Sequence, residues 1–111
     1  MVDRVRFDPD LLDEHQPFEI DDDNRPHLAK HFPYTAEDLA DAWNDPKALF
    51  VPAALDGPAD WLLVARLPGG DLIEVPVTTA RSGEWSRCRP IGIFQAGTRT
   101  TGSYEQQGED R

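Results

Sequence analysis

The sequence predicts an α+β fold, an antiparallel sheet of about four strands with two N-terminal helices packed on one face. Three observations carry it. Two helix starts lie close together, at Asn24 and Thr35. A nearly unbroken apolar run then extends from Trp61 to Leu67. Pro68-Gly69-Gly70-Asp71 follows with turn chemistry, after which Leu72 to Thr79 returns as a hairpin partner.

In chain order, residues 1–16 carry Asp3, Asp8, Asp10, Asp13 and Glu14 around a brief Leu11-Leu12 pair, and are expected to be a flexible acidic arm. Phe18 and Ile20 alternate with Glu19 and Asp21, which suggests a short first strand. Asn24 can cap a short helix whose first turn tolerates Pro26, because early helix N–H groups have no internal acceptor, and Pro33 ends it. Asp21 to Asp23 suit the positive end of that helix dipole. Thr35 with Asp38 approximates a capping box for a second helix, which Pro46 must stop. Leu39, Ala42 and Trp43 form its buried stripe.

Leu49, Val51, Ala53 and Leu55 alternate as a strand that Pro52 pushes toward an edge. Trp61 to Leu67 reads as a central strand covered on both faces, and Pro76 implies a bulge or an edge in the returning strand. Pro90 to Phe94 adds one more short strand. From Gly97 onward the Gly, Thr, Ser and Gln content reads as a disordered tail. The division is therefore an arm at 1–16, one domain at 17–96 and a tail at 97–111.

A chain of 111 residues fits one domain with a modest core. Met1 leads into charged residues with no apolar stretch of signal or membrane length, so a cytoplasmic protein is expected. A lone Cys88 excludes an internal disulfide and is a poor basis for a metal site, so no metal is expected; it reads as a small, half-buried hydrophobe. GxGxxG, P-loop, HExxH and paired CxxC motifs are missing, so no nucleotide cofactor is expected.

The formal net charge is −10. Residues 1–45 hold 4 Lys or Arg against 13 Asp or Glu, a net of −9, whereas residues 79–101 hold four Arg (81, 87, 89 and 99) against Glu84 alone. A basic strip on an acidic body would serve phosphate binding. The acidic half would instead suit a basic partner.

His27, Lys30 and His31 fall three and four residues apart on the first helix, so they share one face. Around them stand Phe18, Glu19, Asp21, Asn24 and Leu28, then Thr35, Glu37, Asp38, Trp43, Asp45 and Pro46. This pattern of F-E-x-D, N-x-x-H-L-x-K-H, a Thr-capped acidic helix and W-x-D-P resembles the BrnT family, small ribonuclease toxins of toxin–antitoxin pairs with a RelE-like fold. The resemblance covers about residues 18–81, with Asp71 to Arg81 matching the family's later hairpin more loosely. After Arg81 the chain departs: the family usually continues with a helix ending E-R-R/K-x-Y, of which Tyr104 and Glu105 are at most a remnant.

The resemblance implies a metal-independent endoribonuclease that acts by 2′-hydroxyl attack and is silenced by an antitoxin of a DNA-binding dimer type, with no membrane partner. Such cleavage needs a base, an acid and a cation for the phosphorane. His31 or His27 titrates in the right range. Lys30, Arg66 and Arg81 are the candidates for phosphate stabilisation. The expected catalytic residues are thus Lys30, His31, Arg66 and Arg81, with His27, Arg87, Arg89 and Tyr104 as RNA contacts. Each has a plainer reading: a solvated helix face for His27, Lys30 and His31, a paired inward charge for Arg66, and a solubilising loop for Arg87 and Arg89. Trp43, Trp61 and Trp85 read as core anchors, except that Trp85, beside Gly83 and Ser86, could sit exposed as a partner contact. Three functions are open on these residues: the ribonuclease, a catalytically inactive module of the same fold that binds protein, and a small acidic adaptor.

Overall fold

A computed structural model of the protein describes residues 6–31, 33–54 and 56–109. The expectations for residues 1–5 of the arm, Leu55 of the first hairpin strand and residues 110–111 of the tail lie outside that set. The elements are α1 (Arg25–Leu28), α2 (Glu37–Trp43), β1 (Leu49–Pro52), β2 (Trp61–Arg66), β3 (Leu72–Thr79), β4 (Cys88–Pro90), β5 (Phe94–Gln95) and α3 (Thr98–Glu109). The fold is α+β, and the strands form an antiparallel meander, β1-β2-β3-β4, with β5 also paired to β3.

Apolar patterning explains the sheet. Leu63, Val64 and Ala65 of β2 are all fully buried, as a strand covered on both faces requires. Successive side chains point to opposite faces. Leu63 and Ala65 join Ile73, Val75 and Val77 of β3 beneath Leu28, Leu39 and Ala42 of the first two helices. Val64 faces the other way and meets Val51 and Tyr104. Between β2 and β3 the backbone N–H of Leu67 bonds the carbonyl of Asp71 at 2.8 Å, and Gly70 takes a φ of 105°, where only glycine is unstrained.

The Pro90–Phe94 strand is split in two. Pro76 pairs with Leu62 on one side, and its carbonyl accepts the N–H of Ile91 on the other. Its nitrogen faces that same side and has no proton to donate, so the ladder breaks between β4 and β5. Pro76 therefore marks no edge but a bulge: the three steps from Glu74 to Val77 face four from Pro90 to Phe94, one residue more on the partner. Pro52 does sit on the edge strand β1.

Three further expectations meet a different structure. Phe18 makes a single parallel bridge to Cys88 in place of a first strand. Residues 6–16 of the arm are tied down: Phe7 and Leu12 enter the core, the Trp61 Nε1–H bonds the Phe7 carbonyl at 2.7 Å, and the Trp43 Nε1–H bonds the Glu14 carbonyl at 2.8 Å. Two buried apolar side chains offset the ordering entropy that the acidic composition alone suggested would win.

Residues 98–109, expected to be disordered, form α3, packed against β1 and β2. Helices thus flank both faces of the sheet. Propensity in this segment is poor. Tertiary anchors decide instead: Thr100 and Tyr104, one turn apart, are both buried, and Glu74 Oε1 accepts from Thr100 Oγ1 at 2.8 Å and from the Gly97 N–H at 2.9 Å.

Candidate functional site

The eight residues singled out in the sequence fall into three groups. The first surrounds a buried ionic pin. Arg89, only 9% exposed, donates from Nη1 to Glu19 Oε1 (2.9 Å) and Asp21 Oδ2 (2.8 Å), and from Nη2 to Asp21 Oδ1 (3.0 Å). The Glu19 carboxylate also accepts the backbone N–H groups of Arg81 (2.7 Å) and Ser82 (3.1 Å). Burial pushes the Glu19 carboxyl up, but the Arg81 N–H, the Arg89 guanidinium and the Ser82 N–H outweigh it and hold it at about 2. The Arg89 hydrogen bond likewise holds Asp21 far below the usual carboxylate range.

Asn24 stands at the N-cap of α1, as its spacing predicts, but makes no side-chain capping bond there; Asp21 closes the turn before it, its Oδ1 accepting the N–H groups of Asp23 and Asn24. The Asn24 side chain turns back instead, to the Glu19 carbonyl and the Asp21 N–H. The acidic triplet is therefore a folding device. Arg87 donates from Nη2 to the Phe18 carbonyl at 2.7 Å while its Nε is buried without a hydrogen-bond partner, and exposed Arg81 pairs with exposed Asp23. Cys88 is fully buried, beyond the half-burial expected, and burial pushes its thiol up to about 12 despite nearby Arg87.

The second group centres on Asp45, at the end of α2. Its Oδ2 accepts both the Tyr104 hydroxyl (2.8 Å) and the Arg66 backbone N–H (2.8 Å), and its Oδ1 accepts the Lys47 N–H (3.0 Å). Burial raises the Asp45 carboxyl, yet these three donors leave it lowered overall. Burial and the bond to Asp45 raise Tyr104. The Arg66 guanidinium lies 5.4 Å from the centre of the Tyr104 ring and bonds the Gly70 carbonyl at 2.8 Å. These groups wall a cleft of about 610 Å³ that Lys47, Asp41 and Glu105 also line. Arg66 is exposed and Tyr104 buried. Asp45 was not expected to be a site residue, although an Asp before Pro that bonds the backbone two residues on is a recognisable turn signal.

The third group lies beside β5. The rings of His27 and His31 are 5.3 Å apart, and His31 meets Phe94 edge to face at 4.7 Å. His31 Nε2 is buried without a hydrogen-bond partner. Lys30 is exposed and shares a shallow pocket of about 330 Å³ with His31, Tyr34 and Phe94. Gly92 permits this packing, because a Cβ there would stand 2.7 Å from the Phe94 ring and 3.1 Å from His31 Nε2.

One compact cationic pocket is therefore not formed. Arg66 pairs with Leu72 at the start of β3, whereas Arg81 follows its end at Thr79. At about 3.3 Å per residue the two arginines are separated by more than about 20 Å of strand. Lys30 and His31 are held at the β5 edge, across β3 from the end of β2 that carries Arg66. Comparison with known proteins gives no matching family model and no matching curated sequence.

Proposed function

We propose that the protein is a BrnT-like binding module, cytoplasmic and without ribonuclease activity, that holds a basic protein partner against its acidic surface. The observation that carries this reading is the dispersal of the cations. Metal-free cleavage of RNA needs base, acid and phosphate-binding cation within hydrogen-bond reach of one phosphate. Here Arg89 is consumed by Glu19 and Asp21, Arg81 pairs with Asp23, and Arg66 and Arg81 stand at opposite ends of β3. A net charge of −10 further opposes a polyanion and favours a polycation. A pull-down from cell extract should recover a basic protein at low ionic strength and lose it as salt rises. Recovery insensitive to salt, or an empty pull-down, counts against the module.

A second reading has its own support in the cleft of Arg66 and Tyr104. Under it the protein is a BrnT-like toxin, an endoribonuclease covered by an antitoxin. Arg66 would hold the phosphorane as 2′-hydroxyl attack proceeds, and Tyr104, braced by Asp45, would order the substrate beside it. Expression would then arrest growth, and Arg66→Ala would relieve the arrest without lowering the folded yield. The acidic adaptor differs from the module only in ancestry, and the same pull-down serves it.

A further inference from the structure

Among the described residues three large apolar side chains are strongly exposed, Trp85 at 62%, Leu11 at 56% and Phe94 at 45%. Two of them are brought to one place. The Asp13 N–H bonds the Ser86 carbonyl at 2.8 Å, and the Cys88 N–H bonds the Pro17 carbonyl at 2.8 Å, so residues 13–17 run beside 86–88. Leu11 lies two residues from the first of these bonds and Trp85 one residue from it. Chain geometry then keeps their Cα atoms within about 16 Å of each other.

The same strip of chain forms one wall of a groove of about 560 Å³, whose other wall is α2. Phe18 and Trp43 form part of the groove lining, edge to face with centroids 5.9 Å apart. The exposed pair thus adjoins, along the same strip of chain, a concave site that holds two aromatic rings.

Apart from Arg87 and His15, which line the groove, the charged surroundings are acidic. Asp8, Asp10, Asp13 and Glu14 are exposed along the arm, and Glu84 is exposed next to Trp85. On α2, Glu37 and Asp41 are exposed three residues before Ala40 and Asn44, which line the groove. These neighbours of the patch select against an anionic occupant, nucleic acid included. They also select against a second copy, which would bring the same acidic rim face to face, and whose own cationic apolar stretch, 85–94, has Arg87 bonded to the Phe18 carbonyl and Arg89 to Glu19 and Asp21. An exposed aromatic ring ringed by like charge is the anatomy of an interface anchor with a steering rim.

We propose that Leu11, Trp85 and the adjoining Phe18–Trp43 groove dock a cationic segment of a partner protein, one that carries a bulky apolar side chain among Lys or Arg residues. This rests on the binding-module reading and names the surface that performs it. The apolar residue enters the groove or covers Trp85, and the flanking cations meet the two acidic rims.

The test uses the full chain and fluorescence anisotropy of labelled oligolysine carrying one central Leu. Two control probes are oligolysine with Ser at that position and oligoglutamate with Leu. The Leu-bearing cationic probe should bind about tenfold more tightly than the Ser probe, and the anionic probe should not bind. Trp85→Ala and Leu11→Ser should each weaken it about five- to tenfold, with Arg99→Ala, exposed on α3, unchanged. Both positions are exposed, and near-ultraviolet circular dichroism checks that the variants keep the wild-type fold. Wild-type affinity in both variants would overturn the docking surface while leaving the module intact. Failure of every cationic probe would overturn both. A dimer in sedimentation that Trp85→Ala dissociates would also overturn the proposal, by giving the patch to a second copy.

Discussion

The Arg89 pin and the Asp45 cleft are both ionic, yet one is closed and the other open. Around Arg89 the guanidinium faces two carboxylates, and Glu19 takes two backbone N–H groups besides, so little is left for a ligand. Around Asp45 the carboxylate is equally satisfied, but its donors are a tyrosine hydroxyl and backbone groups, which leave the Arg66 and Lys47 side chains at the rim of a cleft. The difference teaches that an arginine's position in the sequence says little about its availability. Partner geometry decides whether it stabilises the fold or can meet a phosphate.

The largest way to break this contrast is Arg89→Ala. It strands the buried Glu19 carboxylate and should cost about 3 to 5 kcal/mol, read as a fall in the denaturant midpoint with an unchanged slope. Acid sharpens the same point. Glu19 falls from an ordinary value of 4.5 to about 2 on folding, so its stabilisation is complete above about pH 4.5 and is lost as pH drops toward 2. Asp21 is lowered as well and acts in the same direction. Wild-type protein should lose stability across that window, and Glu19→Gln should flatten the slope.

Gly92→Ala comes next. It pushes a methyl group into the Phe94 ring and His31 and should cost about 1 to 3 kcal/mol, with local loss of the β5 pairing in amide exchange. Tyr104→Phe removes one hydrogen bond at the cleft and should cost about 1 kcal/mol, seen as faster exchange in α3 alone. Arg81→Ala is the smallest. Its pair with Asp23 is exposed, and the change in thermal midpoint should be close to nothing.

The sheet was legible because its signals are local. An apolar run in β2, a Pro-Gly-Gly-Asp turn and a proline at the edge of β1 state their structure within a few residues. The terminal segments were not, because their order comes from distant partners. Nothing near Tyr104 in sequence announces Asp45, and nothing near Phe7 announces Trp61. The eight site residues were reachable by type, and Arg66 and Tyr104 do share a cleft, as Lys30, His27 and His31 share an edge. Their division among three places was not readable, since it depends on which end and which side of β3 each adjoins, a matter of register and connectivity.

Dispersed and carboxylate-bound cations cannot assemble on one phosphate. Incubating purified full-length protein with a mixed RNA substrate in chelator tests it most directly. RNA should be left intact at all protein concentrations. Cleavage that persists in chelator and disappears in a folded Arg66→Ala variant would contradict it and return the protein to the ribonuclease reading.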